Sequence, residues 1–267
     1  LLRRLKEEGH WVRALVRRPE QAAALGEADE VFVGEVTDPS TLGDVAAGVE
    51  LVCSTIGITR QRDGVGYEQV DFAGNLALLR EAERAGAGRF LYVSVLHGPE
   101  LRRTVALAAA KERFVDALRA SSLPSTVVRP TGYFSDMESF FDMARRGVAF
   151  VFGDGRQRMN PISGTDLARA CVTAADGVEE LEVGGPDVLT QKEIVELAFS
   201  ALDKKPRVWH LPTPLVTGSI GLMRHVTPQR INGPAEFLAA VMTRDMVAPP
   251  TGNEHLADHF ATLAARN

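Results

Sequence analysis

Cysteine is scarce: two residues in 267, Cys53 and Cys171, lie far apart and make no metal-ligand spacing. Such usage fits a reduced cytoplasmic protein, and cytoplasm is the expected location. No apolar run approaches the roughly 18 residues of a spanning helix, and no signal-peptide pattern opens the chain. An excess of basic charge is also lacking, with 30 Lys+Arg against 35 Asp+Glu and a formal charge of -5. That balance argues against nucleic acid as a partner. Internal repeats and low-complexity linkers are absent as well. What is present is ordinary globular composition, 45% hydrophobic and 24% charged. A chain of this length buries enough apolar surface to fold without disulfide staples, as one large domain or two small ones.

An initiator methionine is missing too. Leu1, Leu2 and Leu5 share a helical face closed by Gly9, which reads as the last turns of a helix. The β-prone run 11–17 follows, and a half-helix feeding a strand there implies about one further strand and a turn upstream. From this point strands are expected at 11–17, 30–34, 50–55, 89–95 and 125–129. Helices are expected at 20–25, 39–47, 67–85 and 102–121. Strands alternating with helices of this length indicate βαβ units and an α/β fold, a doubly wound parallel sheet of Rossmann type. After Pro130 the alternation becomes less regular, with helices at 135–146, 165–175 and 191–202, strands at 149–152, 181–184 and 207–211, and helical stretches to the end. Residues 1–130 are therefore expected to form a nucleotide-binding core, and 131–267 a smaller substrate-side cap interleaved with the last core elements.

Ligands of such sheets lie beyond the carboxyl ends of the strands. Arg17 and Arg18 follow the strand at 11–17, where an NAD enzyme usually places an acid; guanidinium groups there suit a 2′-phosphate and point to NADP. Asp38 either accepts from an adenine amino group or caps the helix that Pro39 opens. Ser54, Thr55, Ile56 and Gly57 place small side chains where a cofactor's ribose and phosphates pass. Ser94 follows the strand at 89–95, and Lys111 lies one helix later.

These residues resemble the short-chain dehydrogenase/reductase superfamily, in its atypical, NmrA-like branch. The likeness rests on Arg17-Arg18-Pro19, Val36-Thr37-Asp38, Ser54-Thr55-Ile56-Gly57 and Val70-Asp71-Phe72-Ala73-Gly74-Asn75. It continues through Tyr92-Val93-Ser94, Lys111-Glu112, Val128-Arg129-Pro130-Thr131-Gly132-Tyr133-Phe134, Asn160-Pro161-Ile162-Ser163 and Asp166-Leu167-Ala168. The resemblance implies NAD(P) binding, with Ser94 near the nicotinamide and Lys111 on its ribose hydroxyls. Two departures stand out. The family's opening strand and glycine-rich phosphate loop do not occur in the sequence; that strand would lie between those at 11–17 and 50–55. The family's catalytic tyrosine, four residues before the lysine, is Leu107, which transfers no proton.

The expected function is accordingly an NADP(H)-dependent oxidoreductase acting on a small or medium apolar carbonyl, enone or quinone without the usual tyrosine. Lys111, Ser94 and Tyr133 are the candidate catalytic residues, with water as an alternative proton source. His97, Tyr133, Phe134 and Met137 are candidates for the substrate pocket. Met137, Phe140 and Phe141 also repeat at helical spacing, which favours core packing. His255 and His259 stand four apart without a third ligand, so no metal is expected. The alternative function is a non-catalytic NAD(P)-binding redox sensor or assembly protein. A homodimer through the helices at 67–85 and 102–121 is a further expectation.

Overall fold

In the computed structural model, which describes residues 1–59 and 64–266, the chain forms two units. One comprises Leu1–Arg129 with Ala168–Leu181, the other Pro130–Leu167 with Glu182–Asn267.

The first unit alternates as its hydrophobic pattern requires. Its order is α1 (Leu2–Glu7), β1 (Arg13–Val16), β2 (Glu30–Val33), β3 (Leu51–Ser54), α2 (Asn75–Ala85), β4 (Arg89–Val93), α3 (Gly98–Leu101), α4 (Ala106–Ala120) and β5 (Ser125–Pro130). β1 pairs with β2 in parallel, Arg13 opposite Glu30, and β3, β4 and β5 form a second parallel set with Leu51 opposite Arg89 and Phe90 opposite Ser125. This is the α/β architecture that alternating strands and helices demand. β4 is the most buried strand, with Phe90 and Tyr92 fully covered. Both rings pack on Phe114 of α4, with centroids 5.7 and 4.6 Å away. Among the described strands β1 pairs with β2 alone and β3, on its free side, with none, so the parallel strands of this unit make two sheets rather than one.

Several expected helices change form, for local reasons. Residues Pro19–Leu25 make tight 3-10 turns with no buried side chain, and a short segment with no apolar face to bury does not hold an α-helix. The expected helix at 39–47 is a 3-10 turn, Pro39–Thr41, and Asp44 at φ 64° stops any continuation. The helix at 67–85 begins as a widened π-type turn, Glu68–Gly74, before α2 and its left-handed Gly86 cap. The helix expected at 102–121 starts only at Ala106, as α4, because Val105 is extended, and a separate short helix, α3, precedes it at Gly98–Leu101.

In the second unit come α5 (Phe134–Arg145), β6 (Ala149–Phe152) and β7 (Arg158–Met159). Next, α6 (Gly164–Ala174) carries the chain back to the first unit, and β8 (Glu180–Val183) begins beside β5. The remainder is β9 (Leu189–Thr190), α7 (Gln191–Ala201), β10 (Val208–Leu211), α8 (Thr213–Val226), α9 (Gln229–Met242) and α10 (Leu256–Ala265). β6 and β10 pair in parallel, while the short β7 and β9, for which the sequence offers no alternating run, pair antiparallel. Met137, Phe140 and Phe141 of α5 are buried, and Phe141 meets Phe260 of α10 at 5.7 Å. Two buried polar residues fasten the carboxyl-terminal segment. Asn160 Nδ2 donates to the Gly185 and Ala248 carbonyls while its Oδ1 accepts from Ala248 N–H, and Asp166 Oδ2 accepts from the N–H groups of Asn253 and Glu254, both at 2.8 Å.

Both cysteines are free thiols. Burial pushes Cys53 up to about 11 and Cys171 up to about 12. Because the thiolate is the reactive form, neither should react with a disulfide reagent at neutral pH until the chain is denatured. Rapid native-state labelling of either thiol would contradict this.

Candidate functional site

The carboxyl ends of β3 and β4 carry a connected polar cluster in the first unit. Ser54, the last residue of β3, is buried, and its Oγ donates to Asn75 Oδ1 at 2.5 Å. Asn75 Nδ2 in turn donates to the Asp71 carbonyl at 2.9 Å and to the Ile56 carbonyl at 3.4 Å. Asp71 Oδ2 accepts from Ile58 N–H at 3.2 Å. The loop after β3 is thus fixed by two side chains of the widened turn and α2, which stand four residues apart on one helical face.

Lys111 of α4 completes the cluster. Its Nζ lies 3.3 Å from Asp71 Oδ1 and donates to the Tyr92 hydroxyl at 3.3 Å. The lysine keeps 12% of its side chain exposed, whereas Asp71 is fully covered. Burial raises the Asp71 carboxyl, and the Lys111 cation and the Ile58 N–H only partly offset it. Tyr92 is likewise raised by burial, so its phenol stays protonated. Fully covered, Tyr92 has no solvent-facing hydroxyl and serves as a support for Lys111.

Gly57 explains the glycine in the loop. A Cβ there would stand 2.6 Å from Asp71 Oδ1 and 2.7 Å from Lys111 Nζ, so only a glycine permits this approach. Thr55 is exposed and Ile56 half-buried.

The other expected residues are placed as follows. Ser94 is buried, and its hydroxyl donates to Glu112 Oε1 at 2.9 Å rather than meeting Lys111. Glu112 forms a fork with Arg129, Nη1 to Oε1 at 2.6 Å and Nη2 to Oε2 at 3.0 Å, and Arg129 Nε also reaches Glu180. Gly98 is obligatory beside them, since a Cβ would lie 2.2 Å from Glu112 Oε1. Leu107, at the tyrosine position of α4, is buried. His97 takes a left-handed backbone, φ 55°, at the start of α3, with Nδ1 4.0 Å from Glu100. Arg17 pairs with Glu35 at 3.6 Å, and Arg18 is exposed. Asp38 caps the 3-10 turn, its Oδ1 accepting from Ser40 N–H and Oγ, which realises one of its two readings. In the second unit Tyr133 N–H donates to Asp136 Oδ2 to open α5, while Phe134 and Met137 are buried. His255 and His259 face different acids, Asp187 and Glu138, and no cluster of three metal-ligating residues occurs among the described residues.

Sequence reasoning does not single out Asp71, Asn75 or Tyr92 as site residues. Spacing held the signal: Asp71 and Asn75 are one helical turn apart, and Tyr92 and Ser94 are two residues apart along one strand direction. A cleft of about 330 Å³ in the same unit lies elsewhere, at the amino ends of β3 and β4 beside Leu51 and Arg89. No helix among the described residues is long and apolar enough to cross a membrane.

The profile of a family described as NAD(P)H-binding matches residues 1–177. A ceramide reductase from Caulobacter vibrioides is 30% identical over 223 residues, covering 80% of this chain and 70% of its own length. A divinyl chlorophyllide a 8-vinyl-reductase from Zea mays is 29% identical over 240 residues, covering 82% of this chain and 60% of its own. Among solved structures, the triphenylmethane reductase of Citrobacter sp. superposes with a TM-score of 0.75 at 16% identity, covering 100% of this chain and 94% of its own. An NADPH-dependent quinone oxidoreductase from Escherichia coli, complexed with NADPH, gives a TM-score of 0.68 at 18% identity, covering 94% of this chain and 89% of its own. These likenesses show the fold, and the family match covers well over half of the chain. The chain belongs to the NAD(P)H-binding family, as an atypical member of the short-chain dehydrogenase/reductase class.

Proposed function

We propose that the chain is an NADPH-preferring oxidoreductase that reduces a small or medium apolar carbonyl, enone or quinone. The observation that carries this reading is the Lys111 ammonium, held by Asp71 and Tyr92 against the Gly57 loop at the carboxyl ends of parallel strands. The donor set fits a nicotinamide cofactor: Lys111 to bind ribose hydroxyls, and a loop at 54–57 kept bare of bulky side chains. When bound, such a cofactor supplies the hydride. Lys111 orients the ribose, Asp71 orients Lys111, and Arg17 and Arg18 bind the 2′-phosphate. The proton comes from water, with Tyr133 as the side-chain alternative, because Leu107 offers none and Tyr92 is sealed in. The relatives' names point the same way, since ceramide, chlorophyllide and quinone are all largely apolar.

Calorimetric titration with NADPH and NADH tests the cofactor, and NADPH consumption across a panel of quinones and enones tests the reaction. Tight NADPH binding and weak NADH binding are expected. Arg17→Ala with Arg18→Ala should cost NADPH about ten-fold in affinity, roughly 1.4 kcal/mol, and leave NADH unchanged. Equal loss for both cofactors would sink the phosphate assignment. Tyr133→Phe and His97→Gln probe the substrate side, where a change in acceptor KM without a change in NADPH binding is expected.

Leu107 favours a second reading, a cofactor-binding sensor or assembly protein that needs no proton donor. NADPH binding without turnover on any acceptor would select it.

A further inference from the structure

Outside the cofactor cluster, the second unit exposes large apolar side chains in one stretch. Trp209 of β10 is 66% exposed, Leu215 and Leu222 of α8 are 70% and 65% exposed, and Ile231 and Leu238 of α9 are also exposed. Leu215 and Leu222 are seven residues apart, as are Ile231 and Leu238, so each pair shares a face of its helix. Between Thr213 and Met223, α8 has no charged residue, and its Pro214, Gly218, Ser219 and Gly221 are exposed as well. Trp209 stands directly opposite Phe150 of β6, and that side chain is exposed too. An isolated exposed leucine needs no explanation, but two paired rows on consecutive helices do.

The charge of the same stretch indicates what covers it. From Lys204 to Ala235 the sequence holds five Lys or Arg residues and no Asp or Glu, in a chain whose formal charge is -5. Lys205, Arg207 and Arg230 are exposed. A helix with no charge over residues 213–223, flanked by cations and an exposed indole, has the composition of an interfacial element. At 1.5 Å per residue the 14 residues of α8 reach about 21 Å, too short to span a bilayer and long enough to lie in its surface. A second copy fits poorly, because a twofold contact would set this cationic stretch against itself.

We infer that the α8–α9 face docks the protein on an anionic lipid surface, with Leu215 and Leu222 entering the headgroup region and the flanking cations meeting lipid phosphates. The inference does not depend on the reductase reading, and its readout is physical binding.

The test is co-sedimentation of the full chain with vesicles of phosphatidylcholine alone or with about one-third phosphatidylglycerol. Binding to the anionic vesicles is expected, weakening with added salt as surface charges are screened. Leu215→Glu with Leu222→Glu should lower the partition coefficient at least about ten-fold. Arg207→Glu with Arg230→Glu should remove most of the salt dependence. Unchanged melting and NADPH titration of each variant would show that folding is intact. The inference is overturned if the protein ignores both vesicles, or if the leucine variants bind as the parent does. It is equally overturned if the parent sediments as a dimer that the leucine variants convert to monomer, since a second copy then covers the face.

Discussion

Replacing Arg129 by Met should destabilise the chain by about 3–5 kcal/mol, which for a domain of this size lowers the melting temperature by about 10 °C or more. Arg129 is 1% exposed and its main partner Glu112 is 2% exposed. Burial of the guanidinium works against its charge, yet Glu112 and Glu180 outweigh that and hold its pKa above the ordinary arginine range. Among the described residues, removing the arginine leaves Glu112 enclosed with the Ser94 hydroxyl as its remaining hydrogen-bond donor. The loss therefore reflects an orphaned charge more than the net worth of the pair. The double variant Arg129→Met with Glu112→Leu should recover most of the stability, because a matched apolar pair replaces a buried ion pair at little cost. Urea denaturation of the parent, both single variants and the double variant checks this as a thermodynamic cycle. A single-variant loss below about 1 kcal/mol would show that the fork is incidental.

That ion pair illustrates what the sequence conceals. Glu112 and Arg129 appear within the resembling motifs, but nothing in their spacing says that they meet, because they lie on a helix and on the strand after it. The alternation of strands and helices was legible since periodicity is a local property, and β3, β4, β5, α5 and α7 stand close to where their apolar patterns set them. The turns at Pro19–Leu25 and Pro39–Thr41 departed because helix propensity without an apolar face to bury does not sustain an α-helix. The candidate site was legible in part. Ser54 and Gly57 could be chosen from their place at the end of a strand and Lys111 from its place on the helix after Ser94, and the structure brings these three into one cluster. Ser94 was assigned towards the same place, yet its hydroxyl turns to Glu112. The supports Asp71, Asn75 and Tyr92 became visible only when the loop after β3 and the widened turn were seen together.

Lys111→Met should have two separable effects, and their separation tests the role given to the cluster. The first is on stability. Asp71 is already held above its ordinary range by burial, and Lys111 is the cation that moderates the rise. Without that cation the carboxylate is strongly disfavoured, and a loss of about 3 kcal/mol at neutral pH is expected. The direction with pH comes from linkage. A carboxyl with a folded pKa above its unfolded value contributes stability below the unfolded pKa, and that contribution fades as pH rises through the folded one. The variant should therefore regain stability relative to the parent as pH falls toward 4, near the unfolded carboxyl value. Adding Asp71→Asn should restore much of the neutral-pH stability, since the amide carries no charge to bury. The second effect is on the cofactor. A restored fold would still lack the ammonium proposed to hold the ribose, so NADPH affinity should stay at least about ten-fold below the parent's in the double variant. Denaturation between pH 4 and 8 and calorimetry on the double variant read the two effects independently. Recovery of both stability and affinity would reduce Lys111 to a counter-ion for Asp71 and move the ribose contact elsewhere. Recovery of stability alone places Lys111 at the cofactor.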